Sequence, residues 1–139
     1  MKNQMFALIG LGLLLATASA YAQTGVVKAN VPFNFIVEKT SIPAGTYLIQ
    51  PLSGSSQAMA IESADRKVIK LVLPNTCESS MAQEKTKLVF HRYGDQYFLS
   101  QVWVEGNNRG TELRKTQRES EVAMSYPAPQ DVVVVATLR

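Results

Sequence analysis

Apolar and polar residues alternate with a period of two along most of this chain. Val31, Phe33, Phe35 and Val37 occupy every second position, which places their side chains on one face of an extended strand. Similar patterns predict strands over residues 31–37, 47–52, 59–63, 68–73, 87–93, 96–104, 111–114 and 131–138. About eight short strands at regular spacing predict an all-β fold, a small antiparallel β-sandwich or barrel with one short helix.

The clearest predicted hairpin joins residues 87–93 to residues 96–104. Gly94-Asp95 suits a two-residue turn that begins with glycine. The numbers of paired positions then sum to 189, which sets Phe90 opposite Leu99, His91 opposite Phe98 and Arg92 opposite Tyr97. Residues 75–86 show little periodicity and are predicted to form the longest loop.

The helix prediction depends on Thr116-Gln117-Arg118-Glu119, which fits a capping box. In that motif the Thr116 hydroxyl and the Glu119 carboxylate accept hydrogen bonds from free amides of the first turn. Lys115 and Glu119 are also spaced for a surface ion pair. We expect a solvated helix that ends near Met124, because Pro127 cannot continue it.

Four consecutive valines, residues 132–135, mark the last predicted strand. Such a run is typical of a strand covered on both faces, or of one that needs a partner. An open edge at this strand would favour self-association or a protein partner through strand addition.

The first 22 residues have the three parts of a secretory signal peptide. Lys2 gives one positive charge, residues 6–16 are apolar, and Ala20-Tyr21-Ala22 fits the small-x-small cleavage pattern. A membrane anchor is the rival interpretation, but a spanning helix needs about 20 apolar residues. We therefore predict a cleaved signal peptide over residues 1–22 and a single β-rich domain over residues 23–139. The product would be exported, periplasmic or extracellular, with no stable membrane span after cleavage.

Composition and charge exclude several classes of function. The chain has 139 residues and is 46% hydrophobic, which is ordinary for a globular protein. Without Lys2 it has 13 basic and 11 acidic residues and no long basic run, so we expect no nucleic acid as a partner. One Cys and one His are too few for a dedicated zinc site. The sequence therefore predicts no metal and no cofactor, and Cys77 cannot form a disulfide within the chain.

Polar and aromatic side chains concentrate in the predicted hairpin and give the candidate ligand-binding residues. Aromatic faces with polar rims suit sugars or peptides. The alternative is ordinary cross-strand packing, for example Arg92 over the ring of Tyr97. The candidates are His91, Arg92, Tyr93, Asp95, Tyr97 and Trp103.

Enzyme chemistry has little support in the sequence. A Ser-His-Asp arrangement would need His91 as the base, with Asp95 to orient it, and the chain has no Gly-x-Ser-x-Gly motif. A dyad of Cys77 and His91 is conceivable, because an imidazole favours the thiolate. We therefore predict a protein that is not an enzyme, with no catalytic residues.

Three segments carry a resemblance to a known group. They are Val31-Pro32-Phe33-Asn34-Phe35, Ile42-Pro43-Ala44-Gly45-Thr46-Tyr47, and residues 88–103, which contain Phe90-His91-Arg92-Tyr93-Gly94-Asp95-Gln96-Tyr97-Phe98-Leu99. The chain resembles a group of short exported bacterial proteins with no assigned activity. The resemblance covers residues 31–123 and implies a small secreted β-rich domain, without site residues to transfer. Arg114 stands where the group has proline, so the chain departs from the group's pattern at the end of the predicted strand over residues 111–114.

These observations favour a secreted or periplasmic, non-enzymatic β-sandwich protein with an interaction or structural role at the cell envelope. The alternative is a carrier of a small ligand, lipid or glycan, in which Tyr47, Tyr97, Phe98 and Trp103 line the mouth of the sandwich or barrel. An enzyme that depends on Cys77 and His91 is the third hypothesis.

Overall fold

The computed structural model describes residues 25–52, 58–126 and 128–139, which contain twelve strands and one helix. The first six strands are β1 Val27–Val31, β2 Phe35–Val37, β3 Thr40–Ile42, β4 Gly45–Pro51, β5 Met59–Ser63 and β6 Ile69–Val72. The others are β7 Asn75–Glu78, β8 Lys87–Tyr93, β9 Gln96–Trp103, β10 Arg109–Glu112, β11 Gln130–Val135 and β12 Thr137–Leu138. The helix, α1, spans Gln117–Ser125.

The strands form two sheets that share one core. Sheet A has the order β12-β1-β4-β5-β6, and sheet B has the order β11-β8-β9-β10-β7, with β2 beside β9 and β3 beside β2. All pairs are antiparallel except β2 with β9, where Ile36 pairs with Phe98. Neither sheet closes into a barrel, so the predicted all-β sandwich with one short helix is confirmed.

The alternating pattern places one face of each sheet in the core. On β1, Val27, Ala29 and Val31 are buried, whereas Lys28 and Asn30 are exposed. Aromatic rings join the two sheets at the centre. The ring centroid of Phe35 lies 5.3 Å from that of Tyr47 and 5.4 Å from that of Phe90, both edge to face. Burial of side chains of this size contributes about 1.5–3 kcal/mol each to stability.

The strand predicted over residues 31–37 is two strands in different sheets. β1 in sheet A ends at Val31, and β2 in sheet B begins at Phe35. Pro32 between them has no N–H to give to a strand ladder, and the Asn34 side-chain oxygen accepts a hydrogen bond from the Ala44 N–H at 2.9 Å. The apolar period continues across the break because Val31 and Phe35 enter the same core from opposite sheets.

The predicted hairpin register is confirmed near the turn and shifts by one residue beyond it. Phe90 pairs with Leu99 and Val89 pairs with Gln101, so Ser100 is an extra residue in β9. Such a bulge bends the strand locally and changes which side chains share a face. Gly94 has a φ of +61°, which matches the glycine-first turn.

Part of the loop predicted over residues 75–86 is a strand, so that prediction is wrong for its first four residues. β7 pairs with β10, with Cys77 opposite Gly110. None of the residues of β7 is fully buried. A short edge strand of this kind lacks the apolar alternation from which strands are predicted.

The valine-rich segment is a half-exposed edge strand, so the interpretation as a strand covered on both faces is wrong. β11 pairs with β8 along one edge, and Val132 and Val134 pack on the core. Val133 and Val135 are 51% and 60% exposed. After β11 the buried Ala136 leads across to β12 in sheet A, and its N–H donates to the carbonyl of Thr86, the residue before β8 in sheet B, at 2.8 Å.

The close packing of Trp103 on Gly110 gives a stability prediction. A Cβ atom at residue 110 would lie 2.6–2.9 Å from three atoms of the Trp103 ring. We expect Gly110→Ala to lower the free energy of unfolding by about 1–3 kcal/mol, measured by urea denaturation. In a Trp103→Leu background the added cost of Gly110→Ala should be smaller, because the clashing ring is gone. An equal cost in both backgrounds would contradict this explanation.

Candidate functional site

The six candidate binding residues occupy different faces and ends of the hairpin. Because side chains alternate along a strand, His91 and Tyr93 lie on the outer face of sheet B. Arg92 and its cross-strand partner Tyr97 lie on the opposite face. Asp95 is exposed in the turn, and Trp103 is buried at the far end of β9. The structure therefore brings these residues together as two pairs rather than as one surface.

The outer pair meets a third side chain, Glu119 of α1. His91 Nδ1 lies 2.9 Å from Glu119 Oε2, and the Tyr93 hydroxyl donates to the same oxygen at 2.8 Å. A carboxylate only accepts hydrogen bonds, so His91 Nδ1 carries the proton. Glu119 is 5% exposed, which makes this a nearly buried cluster between α1 and β8.

Local sequence explains how α1 reaches this position. The Thr116 hydroxyl oxygen accepts a hydrogen bond from the Glu119 N–H at 3.2 Å, so the first half of the capping box is confirmed. Glu119 itself turns to His91 and Tyr93 instead of to the helix amides or Lys115. Val122 and Ala123 follow at helical spacing and pack on Tyr93. The helix lies on the outer face of sheet B.

The cluster shifts the pKa of each of its members. The hydrogen bond to Glu119 raises the pKa of His91 above its usual value, against the opposing effect of burial, and Asp131 adds to the rise. Burial works against the charged form of Glu119, but the hydrogen bonds from His91 and Tyr93 more than offset it and lower its pKa. Burial and then the Glu119 carboxylate raise the pKa of Tyr93 to about 12.

The second nitrogen of His91 faces a carboxylate and not a nucleophile. Nε2 lies 3.8 Å from Oδ1 of Asp131 on β11. A protonated His91 thus stands between two acids, Glu119 on α1 and Asp131 on β11. This arrangement holds elements together, and it differs from a Ser-His-Asp arrangement, in which Nε2 faces a hydroxyl. Asp95, considered as the orienting acid from the sequence, is in the turn, and Glu119 occupies the position beside Nδ1.

The inner pair forms an aromatic stack at the end of the core. The Tyr97 ring stacks on Phe33 with centroids 3.8 Å apart, and the Arg92 guanidinium carbon lies 5.4 Å from the Tyr97 centroid. Arg92 Nε also donates to the Gly94 carbonyl at 2.8 Å. All three side chains are half-buried. Arg92 and Tyr97 therefore have contact partners within the chain, as expected for ordinary cross-strand packing.

Cys77 and His91 are too far apart for a dyad. β7 and β8 are separated by β10 and β9 in sheet B, and three strand spacings amount to about 14 Å. Burial, followed by the charge of Glu112, raises the pKa of the Cys77 thiol. A raised pKa disfavours the thiolate, which is the reactive form.

A cavity of about 270 Å³ lies between the sheets near their β1, β5 and β9 strands. Val27, Ile49, Met59, Val102 and Val104 make most of it apolar, and Asn107 and Arg109 add polar groups. Its lining includes none of the four aromatic residues expected for a carrier, Tyr47, Tyr97, Phe98 and Trp103. Tyr47 and Phe98 are each only 2% exposed.

Within residues 25–52, 58–126 and 128–139, no three His, Cys, Asp or Glu side chains come close enough together to hold a metal ion. No helix in these ranges has the length and apolar character needed to cross a membrane.

Comparison with known proteins gives no match: no family model, no curated protein and no solved structure is significantly similar to this chain.

Sequence reasoning missed Glu119 and Asp131 as neighbours of His91. The capping box correctly located Glu119 in the first turn of α1 but assigned its carboxylate to the helix backbone. Its spacing to Val122 and Ala123 indicates a shared helix face, and this could have shown that the carboxylate points to the sheet. The pairing of Asp131 with His91 depends on β11 lying beside β8, which no local pattern specifies.

Because of this cluster, we expect the free energy of unfolding to fall as pH rises through the neutral range. Because the pKa of His91 is raised in the folded state, its stabilising contribution is complete below about pH 6.5, the value for unfolded chains. It is lost as pH rises through the higher folded pKa. We expect the free energy of unfolding to decrease as pH rises above about 6.5, and His91→Gln to remove most of this dependence, as measured by urea denaturation.

His91 is the single histidine of the chain, so its variant isolates the effect. Glu119→Gln should flatten the same profile, because the amide no longer favours the imidazolium. The pKa of Glu119 is lowered in the folded state, so its own contribution is lost on the acid side instead, as pH falls through that value. Identical pH profiles for the parent and His91→Gln would show that the cluster does not contribute in this way.

Proposed function

We propose that this is an exported, non-enzymatic interaction protein of the cell envelope that binds a polypeptide partner by strand addition to β11. The observation that carries the proposal is that the outer edge of β11 is unpaired. β11 is the last strand of sheet B, and no described strand pairs with its outer edge. Exposed edges with apolar side chains are normally avoided, because they template pairing with other chains.

The surroundings of β11 suit an extended peptide. Val133 and Val135 line a concavity of about 410 Å³ together with Met81, Ala82 and Lys87. Met81 is 73% exposed. In strand addition the backbone gives affinity, and side-chain pockets beside the edge give specificity. Gln83, Glu84 and Lys85 complete the lining, so the concavity offers the partner's side chains apolar contacts together with polar ones.

β6, the last strand of sheet A, differs from β11 in a way that favours β11 as the binding edge. Lys70 lies in the middle of β6, and its Nζ is 3.6 Å from Glu38 Oε2. A lysine within an edge strand is a common protection against added strands. Residues 132–135 of β11 are all valine, so the one charged side chain of this strand, Asp131, lies near its start and outside the apolar run.

The proposal of export depends on the leader over residues 1–22, which lies outside the described residues. The positive charge, the apolar run and the Ala20-Tyr21-Ala22 pattern support secretion to the periplasm or the exterior. The β-sandwich is compatible with an interaction role in that compartment.

A carrier of a small apolar ligand is the second candidate, and the cavity between the sheets favours it. Its volume of about 270 Å³ lies near the lower end of ligand pockets, which span about 300–1,000 Å³. Val27 and Val102 on its two walls come from different sheets. A ligand there would be mostly apolar, with a polar end near Arg109.

The strand-addition proposal predicts position-specific crosslinks. A photo-crosslinking residue at position 133 should trap a partner segment in cells that express the exported chain. A crosslinker at position 69, on the edge of sheet A, should not trap that segment. Val133→Lys with Val135→Lys should abolish capture, since charges oppose strand pairing, whereas Ile69→Lys with Leu71→Lys should leave it intact.

The proposal also requires that the captured segment pairs with the backbone of β11. Backbone amides of Gln130–Val135 should become protected from hydrogen exchange in the isolated complex. Equal capture from positions 133 and 69, or capture without protection of β11, would refute strand addition.

Native mass spectrometry of the exported fraction tests compartment and carrier together. We expect a chain that begins at Gln23 and lacks residues 1–22. A bare mass is expected for the interaction protein, whereas a reproducible added mass of a small compound would favour the carrier. An uncleaved chain in the cytoplasmic fraction would contradict export.

A further inference from the structure

We propose that the β6 edge of the sandwich is a docking surface for an anionic lipid bilayer. Two features adjoin there: a row of exposed aliphatic side chains, Ile69, Leu71 and Leu73, and a basic concavity beside Leu73. We call these the aliphatic row and the basic concavity.

The aliphatic row is the first feature. Ile69, Leu71 and Leu73 are 61%, 57% and 68% exposed, at every second position of β6 and its continuation. Alternation places them on the same face, while Val72 between them is buried in the core. Contiguous exposed apolar side chains rimmed by polar ones mark sites of association with proteins or membranes.

The basic concavity is the second feature. It has a volume of about 320 Å³ and is lined by Lys39, Lys70 and Arg114, with Glu38 as its one acidic residue and Leu73 at its border. Glu38 is engaged by Lys70 at 3.6 Å. Lys39 and Arg114 are exposed, so two positive charges of the concavity have no acidic counterpart in its lining.

The turn between β2 and β3 brings Lys39 to this place. Glu38 has a φ of +56°, a left-handed conformation that is uncommon for residues other than glycine. This conformation lets the chain reverse in two residues, so that β2 and β3 pair directly with Val37 opposite Thr40. As a result Lys39 and Glu38 stand at the tip of a tight hairpin beside Lys70.

Lys70 and the aliphatic row lie on opposite faces of β6, and the two features meet at Leu73 on the edge of the sheet. An anionic bilayer that contacts this edge matches both features at once. Binding at a membrane surface grows with the apolar area that is buried and with attraction between basic side chains and anionic lipids. A free phosphate would fill only the basic concavity and leave the aliphatic row in water. The charges at the other end of β6 are balanced, since Arg66 pairs with Glu62 at 3.7 Å and the charge of Lys67 acts on Asp65. The excess charge therefore lies on the side of Leu73.

A second protein strand fits this edge less well. Lys70 is the second of the four residues of β6, and two copies of β6 paired about a two-fold axis would bring the lysines close together. Like charges across paired strands are destabilising. Pro74 directly after Leu73 also lacks the N–H that an extended ladder would need.

The test is flotation of the full chain with vesicles of phosphatidylcholine alone or mixed with phosphatidylglycerol. We expect binding to the mixed vesicles that weakens with added salt. Phosphatidylcholine vesicles report any contribution of the apolar run at residues 6–16, which is the same for every variant. Lys39→Gln with Arg114→Gln should lower partition into mixed vesicles about tenfold or more, and Leu71→Ser with Leu73→Ser should lower it comparably.

Matched variants separate this surface from general effects. Lys85→Gln with Arg118→Gln changes net charge equally, and Val133→Ser with Val135→Ser removes aliphatic side chains from the opposite edge. Both variants should partition into the mixed vesicles as the parent does. If circular dichroism shows that the double variant fails to fold, Leu73→Ser alone replaces it in the test, because Leu73 lies outside β6.

Three outcomes would overturn the proposal. One is no preference of the parent for anionic vesicles, and another is equal losses in the matched charge variants. The third is a change of oligomeric state in Leu71→Ser with Leu73→Ser, measured by sedimentation velocity, without any vesicle binding by the parent. That last result would assign the row to contact between copies of the chain.

Discussion

One apolar layer, shared by two sheets, is the constraint on which the rest of this structure depends. Apart from a small cluster of Ile36, Tyr93 and Phe98 between sheet B and α1, neither sheet has a core of its own, so the chain must place alternate residues of both into the same space. It crosses between sheets at Pro32–Asn34, at Pro43–Ala44, at Leu73–Pro74 and at Ala136. Two of these crossings occur at sheet edges and keep β6 near β7 and β11 near β12. The way in which the chain closes the core therefore determines which strands remain partly exposed.

Local patterns predicted most elements because burial on one face imposes a period of two. The β8–β9 register followed from the Gly94-Asp95 turn, since a tight turn fixes which residues face each other. The same period gave one strand where there are two, because Val31 and Phe35 share a core across a change of sheet. β7 was missed because an exposed edge strand carries no apolar alternation. Sequence periodicity reports burial, and it does not report which sheet provides it.

The candidate site shows the same division between local and long-range information. Its residues are close in sequence, but alternation assigns His91 and Arg92 to opposite faces of sheet B. The nearest charged partners of His91, Glu119 and Asp131, come from 28 and 40 residues further along the chain. Glu119 was visible as a capping residue, but its carboxylate accepts hydrogen bonds from His91 and Tyr93 on the outer face of sheet B instead. A buried acid with two hydrogen-bond donors costs little, and it fixes α1 on sheet B.

The two proposed surfaces lie at opposite edges of the sandwich. β11 ends sheet B beside β12, and β6 ends sheet A beside β7. They also differ in chemistry: residues 132–135 offer an uncharged backbone edge, whereas β6 has a central lysine and two unbalanced basic neighbours. A polypeptide at one edge and a bilayer at the other would not compete for space, so both could be bound at once. On these two proposals the protein is an adaptor that holds an extended segment of its partner at a lipid surface. The affinity of each edge then raises the local concentration for the other.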